Sequence, residues 1–266
     1  MIYAIGDIHG QKAMLDHALA LITADGGADA HIVFLGDYTD RGPDSRAVID
    51  TLIKGVDAGR NWTLIKGNHD QMFANYIRHG IEHDPRVKSG ISWINPRLGG
   101  TNTLASYGLI PDSPATYSYT DDGREHLAQV SIDGTVLTSP QFHARARQAV
   151  PATHLDFLDA LPTTYQTRDL IFVHAGMRAG VALADQDTQD LIWIREGFLE
   201  TGYDFGKLVV HGHTALDAPQ SYANRVNLDG GAGYGRPLVP AVFDGRTCWL
   251  LTQNGRIALA PADATG

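Results

Sequence analysis

Residues 1–10 read MIYAIGDIHG, residues 32–42 read IVFLGDYTDRG, and residues 63–70 read TLIKGNHD. Each stretch begins with an apolar run and continues into a glycine that is followed by polar residues. Between them, residues 14–22 and 45–56 carry apolar side chains at roughly helical spacing. This alternation is a βαβαβ pattern, which predicts buried and largely parallel strands.

The polar residues after these runs predict a site at one edge of the sheet. Asp7, Asp37 and Asn68 each lie just beyond the C-terminal end of a predicted strand. Open α/β sheets bind their ligands at that edge, so we expect the three side chains to share one site. The neighbouring glycines allow the backbone to turn sharply there.

Two later motifs repeat this arrangement. Residues 170–176 read LIFVHAG and residues 208–214 read LVVHGHT, which places His174 and His213 after apolar runs. A lone Gly-Asp pair is usually a turn and a lone histidine is usually a packed side chain, but five such motifs are difficult to explain in that way. Carboxylates, imidazoles and an amide oxygen together suit Mn, Fe, Zn or Ni.

The remaining chain indicates the domain organisation. Residues 79–150 are rich in Gly, Pro, Ser, Thr and Tyr and predict an inserted cap-like segment. Residues 154–161 predict a helix, and short β-type runs from residue 208 onward predict a second sheet. We therefore expect one domain over residues 1–266, of class α/β, built as a four-layer α/β/β/α sandwich of two mixed sheets.

Composition restricts the functional classes. The 266 residues carry a net charge of -9 and show no basic run, so tracking along nucleic acid is not expected. Cys248 is the single cysteine, which excludes a disulfide framework and cysteine-rich metal sites. The N-terminal residues do not read as a signal peptide, and no apolar stretch reaches the length of a membrane span. A cytoplasmic protein without a membrane partner is the expectation.

The ordered motifs GDIHG, GDYTDRG, GNHD, VHAG and HGHT resemble the signature of the PPP-type metallophosphatases. This branch of the calcineurin-like metallophosphoesterases includes bacterial and phage serine/threonine phosphatases and diadenosine tetraphosphate hydrolases. The resemblance runs from residue 1 to about residue 245. It implies a hydrolase with a dinuclear centre of divalent metal ions, for which Mn is the first expectation and Fe, Zn, Ni or Co are alternatives.

The resemblance also implies the metal ligands. Asp37 would bridge two ions, which such sites hold about 3.5–4 Å apart. The first ion would also take Asp7 and His9, and the second would take the other three ligands. The full set of matching residues is Asp7, His9, Asp37, Asn68, His174 and His213.

Catalytic roles follow from the same resemblance. A hydroxide that bridges the two ions would attack phosphorus directly, without a covalent phosphoenzyme. His69 resembles the general acid that protonates the leaving oxygen, and Asp40 would orient its ring. Arg41 and Arg195 would bind the non-bridging phosphoryl oxygens.

Two positions depart from the family pattern. Asp70 stands where the third motif usually ends in Glu. Because this position is structural rather than ligating, we expect the departure to have little effect on metal binding and to act, if anywhere, on packing beneath Asn68. His211 precedes His213 by two residues. We expect His213 to be the ligand and His211 to be a buried strand residue or a support for the ligands.

Four functional hypotheses are open at this stage. The first is a phosphoprotein phosphatase that hydrolyses phosphoserine or phosphothreonine esters in proteins or peptides. The second is a hydrolase of dinucleoside polyphosphates that uses the same centre, because the two activities share every metal ligand. A non-catalytic scaffold is disfavoured by the complete ligand set, and a nuclease is disfavoured by the acidic charge. Oligomeric state cannot be read from the sequence.

Overall fold

The computed structural model describes residues 1–261. In that part of the chain the α-helices are α1 (Lys12–Gly26), α2 (Ser45–Asp57), α3 (Asn68–His79), α4 (Gly100–Ser106), α5 (Ser139–Ala149), α6 (Ala152–Ala160) and α7 (Thr188–Trp193). The strands are β1 (Ile2–Ile5), β2 (Ile32–Phe34), β3 (Trp62–Leu64), β4 (Thr116–Tyr119), β5 (Glu125–Ile132), β6 (Thr135–Thr138), β7 (Thr164–Gln166), β8 (Leu170–Val173), β9 (Leu208–His211), β10 (Gln220–Ser221), β11 (Arg225–Asn227), β12 (Ala241–Asp244), β13 (Thr247–Thr252) and β14 (Gly255–Ala258).

The first sheet has six strands in the order β14-β13-β12-β1-β2-β3. Strands β1, β2 and β3 are parallel, and their last residues are nearly level: Ile5 pairs with Phe34, and Phe34 pairs with Leu64. The three polar motifs therefore leave the sheet at the same edge. The predicted βαβαβ unit is present, with α1 and α2 as its crossover helices.

The second sheet has five strands in the order β10-β11-β9-β8-β7. Strands β8 and β9 are parallel, and Phe172 pairs with Val210, so the chain segments that carry His174 and His213 also leave at one edge. The expectation that all strands after residue 208 join this sheet was wrong. Strands β12 to β14 extend the first sheet instead, because β12 pairs antiparallel with β1.

Alternating side chains along buried strands build the layers. In β1, Tyr3 and Ile5 pack with α1 and α2, whereas Ile2 and Ala4 pack against the second sheet. In the second sheet, alternate β8 side chains face a separate core that α7 helps to cover. Strands buried on both faces carry continuous apolar runs, which is why β1 reads IYAI. The predicted four-layer sandwich of two mixed sheets is confirmed.

Residues 79–150 contain a third sheet of three antiparallel strands in the order β4-β5-β6, together with α4 and α5. Helix α5 packs on α3, and α4 packs on α2. The sequence indicated weak periodicity here and did not predict this sheet. No helix within residues 1–261 combines the length and apolar character that crossing a membrane requires.

Candidate active site

Asp37 lies at the centre of a buried cluster of possible metal ligands. Two groups of ligand atoms, each within 4.8 Å of one another, share this residue: one adds His9 and His69, and the other adds His174 and His213. Asp37 Oδ2 is 3.5 Å from His9 Nε2, and Oδ1 is 3.4 Å from His174 Nε2. The two oxygens thus face two different groups, as a carboxylate that bridges two ions must.

Hydrogen bonds on the far side of the rings fix how two of the histidines face the cluster. His9 Nδ1 donates to the carbonyl oxygen of Thr39 at 2.7 Å, and His174 Nδ1 donates to that of Leu35 at 2.7 Å. In both rings Nε2 therefore carries a lone pair toward the cluster, which is the usual state of a metal-binding imidazole. Burial lowers the pKa of His9 well below its ordinary value, which favours the same neutral form.

The surroundings of Asn68 test whether these residues fit an ion. Its Oδ1 lies 2.9 Å from His174 Nε2 and 2.8 Å from His213 Nδ1. Because the proton of His174 is on Nδ1, two lone pairs face each other across 2.9 Å. His213 Nε2 is buried without a hydrogen-bond partner among residues 1–261. A cation that accepts the converging lone pairs relieves this arrangement, so the donor set fits a divalent metal ion.

Asp7 completes the predicted ligand set at the edge of the cluster. Both of its carboxylate oxygens accept the backbone N–H of His213 at 3.1 Å, and Oδ2 is 4.0 Å from His9 Nε2. Burial, then the carboxylates of Asp229 and Asp37, raise the pKa of Asp7 well above its usual range. Bound dications would offset this repulsion among buried carboxylates. Asp229 is a buried acid to which the sequence analysis assigned no role.

Much of the cluster stands on strained backbone. Six non-glycine residues of the described chain have positive φ, and five of them belong to the predicted site: His9, Asp37, Asp40, Arg41 and His213. Each such residue costs about 1–3 kcal/mol. The surrounding packing must therefore hold these side chains in place.

Two glycines allow the second and third motifs to approach each other closely. A Cβ on Gly36 would lie 2.5 Å from the backbone nitrogen of Gly67, and a Cβ on Gly67 would lie 2.2 Å from Asp37 Oδ1. No other residue fits at either position without moving the loops apart. The glycines flanking the motifs thus bring Asp37 and Asn68 together.

His69 and Asp40 form the predicted pair. His69 Nδ1 donates to Asp40 Oδ2 at 2.6 Å, and the same carboxylate accepts from Trp93 Nε1 at 2.8 Å and Thr103 Oγ1 at 2.7 Å. Burial raises the pKa of Asp40 to about 7, while the Thr103 and Trp93 hydrogen bonds act to lower it. Burial lowers the pKa of His69 to about 3. Trp93 and Thr103 come from the 79–150 segment, and the sequence analysis assigned neither a role.

Arg41 and Arg195 both line the cavity beside the cluster. Arg41 Nη1 contacts His9 Nε2, and its Nη2 lies 3.1 Å from His69 Nε2. The Arg41 guanidinium also stacks over the ring of Tyr234 at 4.9 Å. The cavity has a volume of about 750 Å³ and reaches from Asn68 and His69 to the protein surface.

Asp70 pins the second motif to the start of α3. Its carboxylate accepts the backbone N–H groups of Asp37, Tyr38 and Gly67 at 2.9, 2.9 and 3.0 Å. Burial, followed by the Asp37 carboxylate, raises the pKa of Asp70 to about 8. Asp70 thus orients the backbone of a predicted ligand.

Asp70→Asn is expected to destabilise the protein by about 3 kcal/mol, because one oxygen becomes an amide donor that faces backbone N–H donors. Affinity for Mn should fall about 10- to 100-fold, as for other changes to groups that support metal ligands. Thermal unfolding and Mn titration would measure the two effects. Wild-type values in both measurements would contradict this role for Asp70.

His211 lies apart from the two ligand groups. It is the last residue of β9, is fully buried, and packs edge-on against Phe198 with ring centroids 5.0 Å apart. Burial lowers its pKa to about 3. This environment agrees with a buried strand residue rather than a ligand.

Comparison with known proteins identifies relatives over most of the chain. The family described as calcineurin-like phosphoesterase matches residues 1–231. A bis(5'-nucleosyl)-tetraphosphatase PrpE [asymmetrical] from Anoxybacillus flavithermus is 25% identical over 253 residues, which cover 90% of this chain and 89% of the relative. A protein of the same name from Bacillus mycoides is 23% identical and covers 88% and 87%.

Solved structures share the fold at low sequence identity. A putative diadenosine tetraphosphatase has a TM-score of 0.57 and 16% identity, covering 99% of this chain and 94% of its own. A cold-active protein-tyrosine phosphatase from a psychrophilic Shewanella species has a TM-score of 0.58 and 15% identity, covering 97% and 80%. At these identities the likeness extends to the fold alone.

Proposed function

Because the chain belongs to the calcineurin-like phosphoesterase family, which makes it a metal-dependent hydrolase of phosphate compounds, we propose that its substrates are dinucleoside polyphosphates. The observation that carries the proposal is the pair of ligand groups that share Asp37, beside a cavity that is open to the surface and lined by arginines. The relatives named bis(5'-nucleosyl)-tetraphosphatase, matched over 89% and 87% of their length, support this substrate over the phosphoprotein that the sequence first indicated.

The six predicted ligands, Asp7, His9, Asp37, Asn68, His174 and His213, would hold two divalent ions. When bound, such ions supply a water molecule of lowered pKa as the nucleophile and neutralise phosphoryl charge. Mn is the first choice for this mixture of oxygen and nitrogen ligands.

The chain's own side chains do the remaining work. Arg41 and Arg195 bind the non-bridging oxygens of the attacked phosphoryl group, since a guanidinium donates two parallel hydrogen bonds to such oxygens. Asp40 accepts the Nδ1 proton of His69, which leaves Nε2 as the atom that faces the substrate. A phosphate anion at the arginines favours the protonated ring, whose Nε2–H then passes to the leaving oxygen.

A phosphoprotein phosphatase is the second candidate. The role proposed for Arg41 and Arg195 requires only one terminal phosphoryl group, which a phosphopeptide also has. Arg195 is exposed, so a phosphopeptide can reach it. The two activities differ in what leaves: a nucleotide, or a serine or threonine hydroxyl.

Metal-stripped protein that is resupplied with Mn should separate the candidates. We expect faster turnover of diadenosine tetraphosphate than of phosphoserine and phosphothreonine peptides at equal concentration. Product analysis by chromatography and phosphate release by a colorimetric assay would measure the two rates. Faster turnover of the peptides would reverse the order of the candidates.

A further inference from the structure

The outer part of the cavity carries positively charged side chains in addition to the two arginines that are proposed to bind the attacked phosphoryl group. Beyond Arg41 and Arg195, its wall includes Arg86, Lys88 and Arg178. This concentration of cations stands against a net charge of -9 for the whole chain. Because the proposed metal ions and two arginines would already serve the reacting phosphorus, the outer cations require a separate explanation.

The two outer arginines share a single carboxylate, Asp190, as their ion-pair partner within 4.0 Å among residues 1–261. Arg178 Nε donates to Asp190 Oδ2 at 2.5 Å, and Arg86 Nη1 lies 3.6 Å from Asp190 Oδ1. One buried carboxylate thus serves two guanidinium groups. Within residues 1–261 the Arg86 guanidinium makes this ion pair but no hydrogen bond, and the Arg178 guanidinium makes its hydrogen bond through Nε alone. Lys88 forms a solvent-exposed ion pair with Glu196. We expect such an exposed charge to contribute little to substrate binding.

Neighbouring side chains fix the backbone at these two arginines. Gln186 accepts the backbone N–H of Arg178 at 2.8 Å and donates to its carbonyl oxygen at 2.9 Å. Gln186 is itself only 8% exposed. In the 79–150 segment, the carboxylate of Asp84 accepts the backbone N–H of Arg86 at 2.9 Å. The two cations come from different parts of the chain, the 79–150 segment and the loop after β8, and meet at Asp190.

We propose that Arg86 and Arg178 bind a second phosphate group of the substrate, so that the cavity takes the phosphate chain of a nucleotide. This inference rests on the proposed function. A guanidinium with unused N–H groups suits phosphate oxygens, and a cavity of about 750 Å³ has the size of small-molecule sites. Pro85, Val87 and Leu98 form an apolar part of the same wall, which suits a nucleoside.

Arg86→Gln and Arg178→Gln, made singly so that Asp190 keeps one partner, test the proposal. Each is expected to raise KM for diadenosine tetraphosphate about 10-fold with kcat changed less than about threefold, because the lost hydrogen bonds are charge-assisted. KM for para-nitrophenyl phosphate, which has a single phosphate, should change by no more than about threefold. Arg147→Gln, at an exposed arginine of α5 outside the cavity, is the matched control.

A second measurement does not depend on turnover of the dinucleotide. ADP and orthophosphate are used as competitive inhibitors of para-nitrophenyl phosphate hydrolysis, with Mn in excess. We expect the inhibition constant of ADP to rise about 10-fold in each variant, while that of orthophosphate changes much less.

Three results would overturn the proposal. One is an ADP inhibition constant that shifts no more than in Arg147→Gln. Another is an equal rise in the inhibition constants of ADP and orthophosphate, which would mean that the arginines act on the whole site. The third is a rise in KM for a phosphopeptide without acidic residues that equals the rise in KM for diadenosine tetraphosphate. Failure of the proposed function has a different signature, since the wild-type protein would then hydrolyse para-nitrophenyl phosphate but not the dinucleotide.

Discussion

Asp37→Asn is expected to bind fewer than two metal ions and to lose activity by about 10³-fold or more, because metal ions supply several kcal/mol of transition-state stabilisation. Its two oxygens face different ligand groups, so a single substitution disturbs both. The amide keeps the shape of the side chain but has only one oxygen and no charge. Metal content by atomic emission and turnover with excess Mn would measure the effect.

The control for this prediction is Asp57→Asn, the same substitution at an exposed position of α2. It should bind metal and turn over substrate as the wild type does. An Asp37→Asn protein that retains two ions and near-normal turnover would refute the bridging assignment.

His69→Gln is expected to slow substrates with poor leaving groups by about 10²–10⁴-fold, the usual contribution of a general acid. The rate of para-nitrophenyl phosphate hydrolysis should fall far less, because its leaving group hardly needs a proton. Rates on alkyl and aryl phosphates across a range of leaving-group pKa would give the dependence directly. His79→Gln, at the exposed end of α3, is the matched control.

Metal content distinguishes two roles for His69. Its ring lies in one of the two groups of possible ligand atoms, together with His9 and Asp37. A general acid can be replaced without loss of metal, so the variant should still bind two ions. Loss of one ion, or equal losses on all leaving groups, would make His69 a ligand instead.

The position of the site could be predicted because it follows from strand order. Parallel strands bring their carboxyl ends to one edge, and the apolar runs before Asp7, Asp37 and Asn68 mark those strands clearly. The mixture of carboxylate, imidazole and amide then predicted the class of ion. The chemical class of the enzyme followed from the motifs, whereas they do not distinguish a nucleotide from a phosphoprotein as substrate.

Sheet membership could not be predicted from short β-type runs. Periodicity shows that residues 247–252 form a strand, but not that β12 crosses to pair with β1. That pairing depends on where the loop over residues 228–240 carries the chain. The third sheet was missed because its strands are only partly buried and so lack a clean alternation.

The supports of the site were also invisible in the sequence. Trp93 and Thr103 reach Asp40 from residues more than fifty positions away, and no local pattern marks such a contact. The left-handed backbone at Asp37 and Arg41 could not be predicted either, because glycine is the residue that normally signals this conformation. Such strain is held by tertiary packing and is concentrated at functional sites.

The dinuclear centre itself is tested most directly by anomalous diffraction from crystals of the protein soaked in Mn. The expected result is two Mn peaks about 3.5–4 Å apart, one on each side of the Asp37 carboxylate. One peak should lie near His9 and Asp7, and the other should lie among Asn68, His174 and His213. A single peak, or two peaks that do not share Asp37, would contradict the two-metal assignment.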